Sequence, residues 1–173
     1  NETYFFREPA HFDLLERELV ATRPQSLAVW SAASSFGDEA YSTAMLLADL
    51  QARGHVGAAW SILGTDISDR VLRSAAQGIY PEDRLSHVSP ERLKRHCLRG
   101  EGDAEGLVQM KDPLRGHVRF GQVNLCQPIT GLGPFDVVFL RNVLIYFDPP
   151  TKIAVVDRVL VRFGCEILGL IYR

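Results

Sequence analysis

No stretch of this sequence approaches the roughly 20 consecutive apolar residues of a membrane-crossing helix, so direct membrane insertion is not expected. A surplus of one charge is also missing: 19 Lys+Arg stand against 21 Asp+Glu, a net charge of −2. Such a balance creates no field that would draw in nucleic acid, so none is expected as a partner. Cysteine is scarce. Cys97, Cys126 and Cys165 are odd in number and irregular in spacing, which fits neither a disulfide framework nor a zinc site. They predict buried thiols in a reducing, cytoplasmic compartment. The histidines (His11, His55, His87, His96 and His117) share no metal-ligand spacing, so no metal is expected and each reads as structural. Repeats and low-complexity segments are missing as well. No signal peptide opens the chain, and its start at Asn1 implies that something upstream has been removed.

What is present is average for a globular protein. In 173 residues, 46% are hydrophobic and 23% charged, enough for one domain with a sizeable core and a small appendage. Ala10 to Leu19 reads as a helix, with Phe12, Leu15 and Leu19 at three- and four-residue spacing. The apolar run Leu27 to Trp30 reads as a strand, followed by a helix from Asp38 to Arg53 with acids in its first turn. Ala58 to Gly64 is a second strand. A helix from Asp69 to Gln77 comes next, with Ser68 expected to cap it and Gly78 to close it. Ser89-Pro90 starts a short helix, and Leu107 to Met110 reads as a strand inside a Gly- and charge-rich stretch. Val118 to Val123 and Phe135 to Leu140 are further buried strands, and Asp148-Pro149-Pro150 opens a last helix. This alternation predicts an α/β fold with a parallel sheet and a small appended subdomain between Gly78 and Val118.

In open α/β sheets ligands bind beyond the carboxyl ends of the strands. The residues found there are Ser34 to Glu39, then Asp66, then Asn124-Leu125, then Arg141-Asn142. The first loop is not a dinucleotide fingerprint, because Gly37 is its only glycine and G-x-G-x-x-G is absent. An Asp at the end of the second strand can accept hydrogen bonds from both hydroxyls of a ribose. An adenosine ligand without phosphates fits that combination, and S-adenosylmethionine is one.

Five motifs in order then resemble the CheR-type chemotaxis receptor methyltransferases. N-E-T-Y-F-F-R at 1–7 is similar to N-x-T-x-F-F-R, and W-S-A-A-S-S-F-G-D-E-A-Y-S at 30–42 to W-S-A-A-x-S-x-G-E-E-P-Y-S. T-D-I at 65–67 with G-I-Y at 78–80 resembles S-D-I … G-x-Y, V-N-L stands at 123–125, and F-D-V-V-F-L-R-N-V-L-I-Y-F at 135–147 resembles F-D-x-I-F-x-R-N-V-x-I-Y-F. The resemblance implies a Rossmann-like class I S-adenosylmethionine-dependent methyltransferase fold over 1–173, with a small antiparallel β insert at about 79–117. The family's amino-terminal helical domain is expected to be absent, and the tail at 161–173 diverges from the family's pattern.

By resemblance, Asn1, Thr3, Arg7, Glu39, Asp66, Asn124, Leu125, Arg141 and Asn142 would line the cofactor site, and Arg7 and Tyr146 are the catalytic candidates. Asp66 suits the ribose, Glu39 the cofactor's ammonium, Asn124 and Leu125 the adenine, and Arg7 a carboxylate held in bidentate fashion. The implied reaction is methyl transfer to glutamate side chains of a chemoreceptor's cytoplasmic domain. Two alternatives are a degenerate cofactor-binding sensor and a methyltransferase acting on a non-receptor substrate. The loop at 100–108 resembles the longer form that binds a chemoreceptor's carboxyl-terminal peptide. There a strand edge would pair with the peptide, and Gly102 and Gly106 would let the backbones approach.

Overall fold

The computed structural model describes residues 3–162 and the backbone of 170–172. Candidate Asn1, Cys165 and most of the divergent tail lie outside the described residues. In chain order the elements are α1 (Pro9–Thr22), β1 (Ser26–Ala32), α2 (Asp38–Ala52), β2 (Ala59–Asp66), α3 (Asp69–Gln77), β3 (Ile79–Pro81), α4 (Pro90–His96), β4 (Cys97–Arg99), β5 (Leu107–Met110), α5 (Asp112–Arg115), β6 (Val118–Gln122), β7 (Val137–Leu140), α6 (Pro149–Leu160) and β8 (Leu170–Tyr172).

The main sheet runs β6-β2-β1-β7-β8 with every pairing parallel. Both faces are covered at β1 and β7, which is why these read as apolar runs, whereas β6, expected to be a buried strand, lies at the sheet edge and buries only Val118. Along β7, Val137 and Phe139 enter one core with Phe12, Leu15 and Leu19 of α1 and the apolar side chains of α2. Val138 and Leu140 enter the other, against Trp30, Phe135 and the α6 residues Val155 and Val159. The two-residue period of a strand sorts neighbours to opposite faces. Chain order reverses between β1 and its two neighbours, β2 and β7, which opens a crevice at their carboxyl ends.

Gly78 closes α3 in the left-handed conformation at φ 64°, as expected, but the Ser68 side chain makes no capping hydrogen bond. Ser89 and Asp148 do cap their helices, accepting from Arg92 N and Thr151 N. The smaller antiparallel sheet has the order β3-β5-β4. This corrects two expectations for the 100–108 loop. The strand it leads into, β5, is paired on both sides, so the edges are β3 and β4. Gly102 and Gly106 supply positive φ (59° and 80°) in open space rather than a close backbone approach. The thiols differ as well. Cys97 is buried, and burial pushes its pKa up to about 11, which keeps it protonated and inert, whereas Cys126 is exposed.

Candidate functional site

The loop from β1 to α2 is held in a conformation that L residues resist. Ala33 and Ser35 have φ of 63° and 50°, each costing roughly 1–2 kcal/mol. Bonds to the end of β2 hold them there: Ser34 N donates to Thr65 O at 2.7 Å and Ser35 N to Asp66 Oδ2 at 3.0 Å. Gly37, at φ 90°, admits no side chain, because a Cβ would meet Ala75 Cβ and Tyr80 Oη at 3.0 Å.

Asp66 is therefore fixed from both sides, since its Oδ1 also accepts from Ser68 N at 3.0 Å. Each oxygen holds one N–H and keeps further acceptor capacity, the arrangement that two vicinal hydroxyls require. Beside it, the Ser34 and Ser35 hydroxyls are buried and find no hydrogen-bond partner among the described residues. Buried hydroxyls of this kind fit a site completed by a polar ligand.

At the end of β7, the Arg141 side chain is 3% exposed and lies 5.3 and 5.5 Å from the Phe12 and Phe139 rings. Its Nε donates to Glu39 Oε2 at 2.7 Å and its Nη1 to the Arg7 carbonyl at 2.8 Å. The other Glu39 oxygen accepts from Ser31 Oγ at 2.6 Å. Both Glu39 oxygens thus already carry a donor, so its first task is to hold Arg141. Any bond to a ligand's ammonium uses remaining lone pairs. Asn142 comes next at φ 57°, a conformation asparagine tolerates. Asn124 Oδ1 accepts from Cys126 N at 2.9 Å, which shapes its own turn and leaves the amide NH2 to donate.

These groups converge on one cavity of about 540 Å³, within the range of small-molecule sites. Thr3, Arg7, Glu39, Asp66, Asn124, Leu125, Arg141, Asn142 and Tyr146 all line it. Arg7 sits 5.9 Å over the Tyr4 ring, and Tyr146 is 70% exposed, at the rim and not in the core beside Phe147. Tyr4, Ile67 and Ile145, which stand inside the matched motifs but are not among the expected site residues, also line the cavity, as does Cys126 outside them. Apolar residues on loops carry no signal that separates a ligand wall from ordinary surface. His11 reads as structural in the sequence, yet its Nδ1 lies 3.1 Å from Arg141 Nη1.

The CheR methyltransferase SAM-binding domain model matches residues 1–163. The chemotaxis protein methyltransferase of Escherichia coli K12 is 42% identical over 159 residues, covering 91% of this chain and 54% of that protein. Its counterpart from Salmonella typhimurium is 44% identical over 153 residues, covering 88% of this chain and 52% of that protein. The chain spans about half the length of the curated relatives it matches. Among solved structures, magnesium protoporphyrin IX methyltransferase from Synechocystis PCC 6803 with bound SAM aligns with a TM-score of 0.50 at 18% identity, covering 91% of this chain and 55% of that one. The [4+2]-cyclase SpnF aligns with a TM-score of 0.52 at 13% identity, covering 92% of this chain and 43% of that one. At such identities the likeness is one of fold: a class I SAM-methyltransferase sheet, which also hosts a cyclase. With the sequence matches spanning nearly its whole length, this chain belongs to the CheR methyltransferase family and carries that family's SAM-binding domain.

Proposed function

We propose that this domain holds S-adenosylmethionine in the cavity and that its methyl group passes to glutamate side chains of chemoreceptors. One observation carries the proposal: loops from four parallel strands bring a fixed carboxylate, two buried hydroxyls without a partner among the described residues and an arginine–glutamate pair to a single cavity. When bound, the cofactor supplies a methyl group on a positively charged sulfur. Asp66 takes the ribose hydroxyls, the Asn124 amide and Leu125 frame the adenine, and Thr3, Asn142 and Asn1 complete the walls. Glu39 and Arg141 brace the carbonyl of Arg7. A glutamate of ordinary pKa near ~4.3 is ionised at neutral pH, so no general base is required. Arg7 and Tyr146 aim that carboxylate, and orientation of this kind is worth roughly 7–11 kcal/mol in favourable cases. Too firm a grip by Arg7 would stabilise the ground state, so its part is aiming more than binding.

Calorimetric titration with S-adenosylhomocysteine tests the site. Asp66→Ala should weaken binding by about 1–3 kcal/mol, and unchanged affinity would remove Asp66 from the ribose. Transfer of a labelled methyl group to receptor-bearing membranes tests the activity.

The small sheet is our candidate dock for a receptor's carboxyl-terminal peptide. Support comes from the edge strand β4, whose Leu98 is 53% exposed, since an extended peptide can add to such an edge. Fluorescence anisotropy with a labelled tail peptide should show binding that Arg99→Pro, which removes an N–H on the open side of β4, abolishes. No binding to the unsubstituted chain would leave receptor docking to other surfaces.

A further inference from the structure

A guanidinium only donates hydrogen bonds and keeps its charge at every accessible pH. A ring nitrogen 3.1 Å from Arg141 Nη1 therefore presents a lone pair, which places the proton of a neutral His11 on Nε2. The same Nδ1 stands 3.4 Å from Glu8 Oε2. One atom thus faces two partners of opposite demand: without a proton it accepts from Arg141, and with one it pairs with Glu8. Charged groups facing it include Glu8 at the start of α1 and Arg141 after β7, with Glu39 of α2 behind the arginine.

We propose that His11 is a positioning residue for the cofactor site. Its neutral Nε2–H tautomer holds the Arg141 guanidinium on the Arg7 carbonyl and on Glu39, and protonation releases it. Arg141 Nη1 shares its donation between His11 Nδ1 and Arg7 O, at 3.1 and 2.8 Å. A proton on Nδ1 replaces the first of these bonds with two cations in contact, the Arg141 side chain buried and the His11 side chain partly exposed. His11 then turns to Glu8, and the Arg7 and Glu39 walls of the cavity lose their common brace. The effect on the ligand rests on the cavity being the cofactor site as proposed above. The tautomer rests on geometry alone.

Two measurements on the 173-residue chain test this separately. Long-range proton–nitrogen NMR of the unsubstituted, unliganded chain at pH 7.5 should read His11 as the Nε2–H tautomer. An Nδ1–H tautomer or a charged ring would overturn the proposal whatever any variant does. Titration with S-adenosylhomocysteine should then show measurably weaker affinity at pH 5.5 than at pH 7.5, because the binding-competent form lacks the proton. His11→Asn keeps an acceptor near the place of Nδ1 and takes no proton, so it should bind as the unsubstituted chain does at pH 7.5 and lose the acid limb. His11→Lys, a permanent cation, should bind weakly at both pH values. An unaltered acid limb in His11→Asn would overturn the switch. A chain that binds no S-adenosylhomocysteine at pH 7.5 would overturn the reading of the cavity, and the NMR result would still decide the tautomer.

Discussion

Asp38 and Glu39 are neighbours in the first turn of α2, and each takes an arginine from a distant part of the chain. Successive helix positions point about 100° apart, so the two pairs look toward different regions. Asp38, 0% exposed, receives Arg84 of the insert in bidentate fashion, at 2.7 and 3.0 Å, and this raises the Arg84 pKa. Nearby, the Tyr80 hydroxyl donates to the Phe36 carbonyl at 2.6 Å. Together they strap the small sheet to the loop after β1, and neither lines the cavity. Glu39 receives Arg141 through one bond and Ser31 through another, and it does line the cavity. The same chemical device joins two subdomains in one case and braces a binding wall in the other. What separates the two is which region each acid faces, not the type of pair.

Substitutions should separate these tasks. Asp38→Asn leaves the partly exposed Arg84 facing a buried neutral amide, and breaking a buried pair costs about 3–5 kcal/mol. Partial exposure of Arg84 favours the lower end. Chemical denaturation should show that loss, while the folded fraction binds S-adenosylhomocysteine within about threefold of the original affinity. Glu39→Gln keeps shape but removes the charge from Arg141. It should reverse the pattern, with a stability loss of about 1–2 kcal/mol and an affinity loss of at least as much. If the two variants lose stability and affinity in equal proportion, the strap and the wall are one structure, and the comparison fails.

Much of this arrangement is legible in the sequence, and the parts that are not share a cause. β1 and β7 can be read because both sheet faces are buried there. Asp66, Asn124 and Arg141 each stand at or just beyond the end of a strand, and a parallel sheet aligns its carboxyl ends, so that position alone groups them. Asp38 and Glu39 read as first-turn acids, which they are, but nothing local names Arg84 or Arg141 as partners 46 and 102 residues away. Leu107 to Met110 is legible as a strand, yet its place between β3 and β4 depends on pairing, which periodicity does not encode. His11 carries no signal either: its partner is 130 residues on, and its chemistry exists only once Arg141 is folded against it.

A third acid of α2 sharpens the comparison with the smallest effect. Asp49 accepts from Arg92 Nε at 2.9 Å, from Arg95 Nε and Nη2 at 3.0 Å each, and faces His96 Nε2 at 2.7 Å, all from α4 or its end. Burial pushes its pKa up, but the hydrogen bonds from Arg95, His96 and Arg92 outweigh that and leave it below the usual carboxylate value. A folded-state pKa below the unfolded one stabilises the fold above the unfolded value, and the contribution is lost as pH falls through the folded one. Like Asp38 it ties the insert to α2, but its own side chain is 10% exposed against 0% for Asp38, and Arg95 is 52% exposed. Exposed pairs contribute up to about 1 kcal/mol each. Asp49→Asn should therefore cost about 1 kcal/mol at pH 7 and nothing measurable once acid has protonated the original carboxylate. It should shrink further in 1 M salt, where screening acts within about 3 Å. The Asp38→Asn loss should survive the same salt, because water and ions do not reach that carboxylate. Denaturation curves of both variants at two salt concentrations decide the matter, and equal salt sensitivity would mean that burial of the acid does not set the strength of these straps.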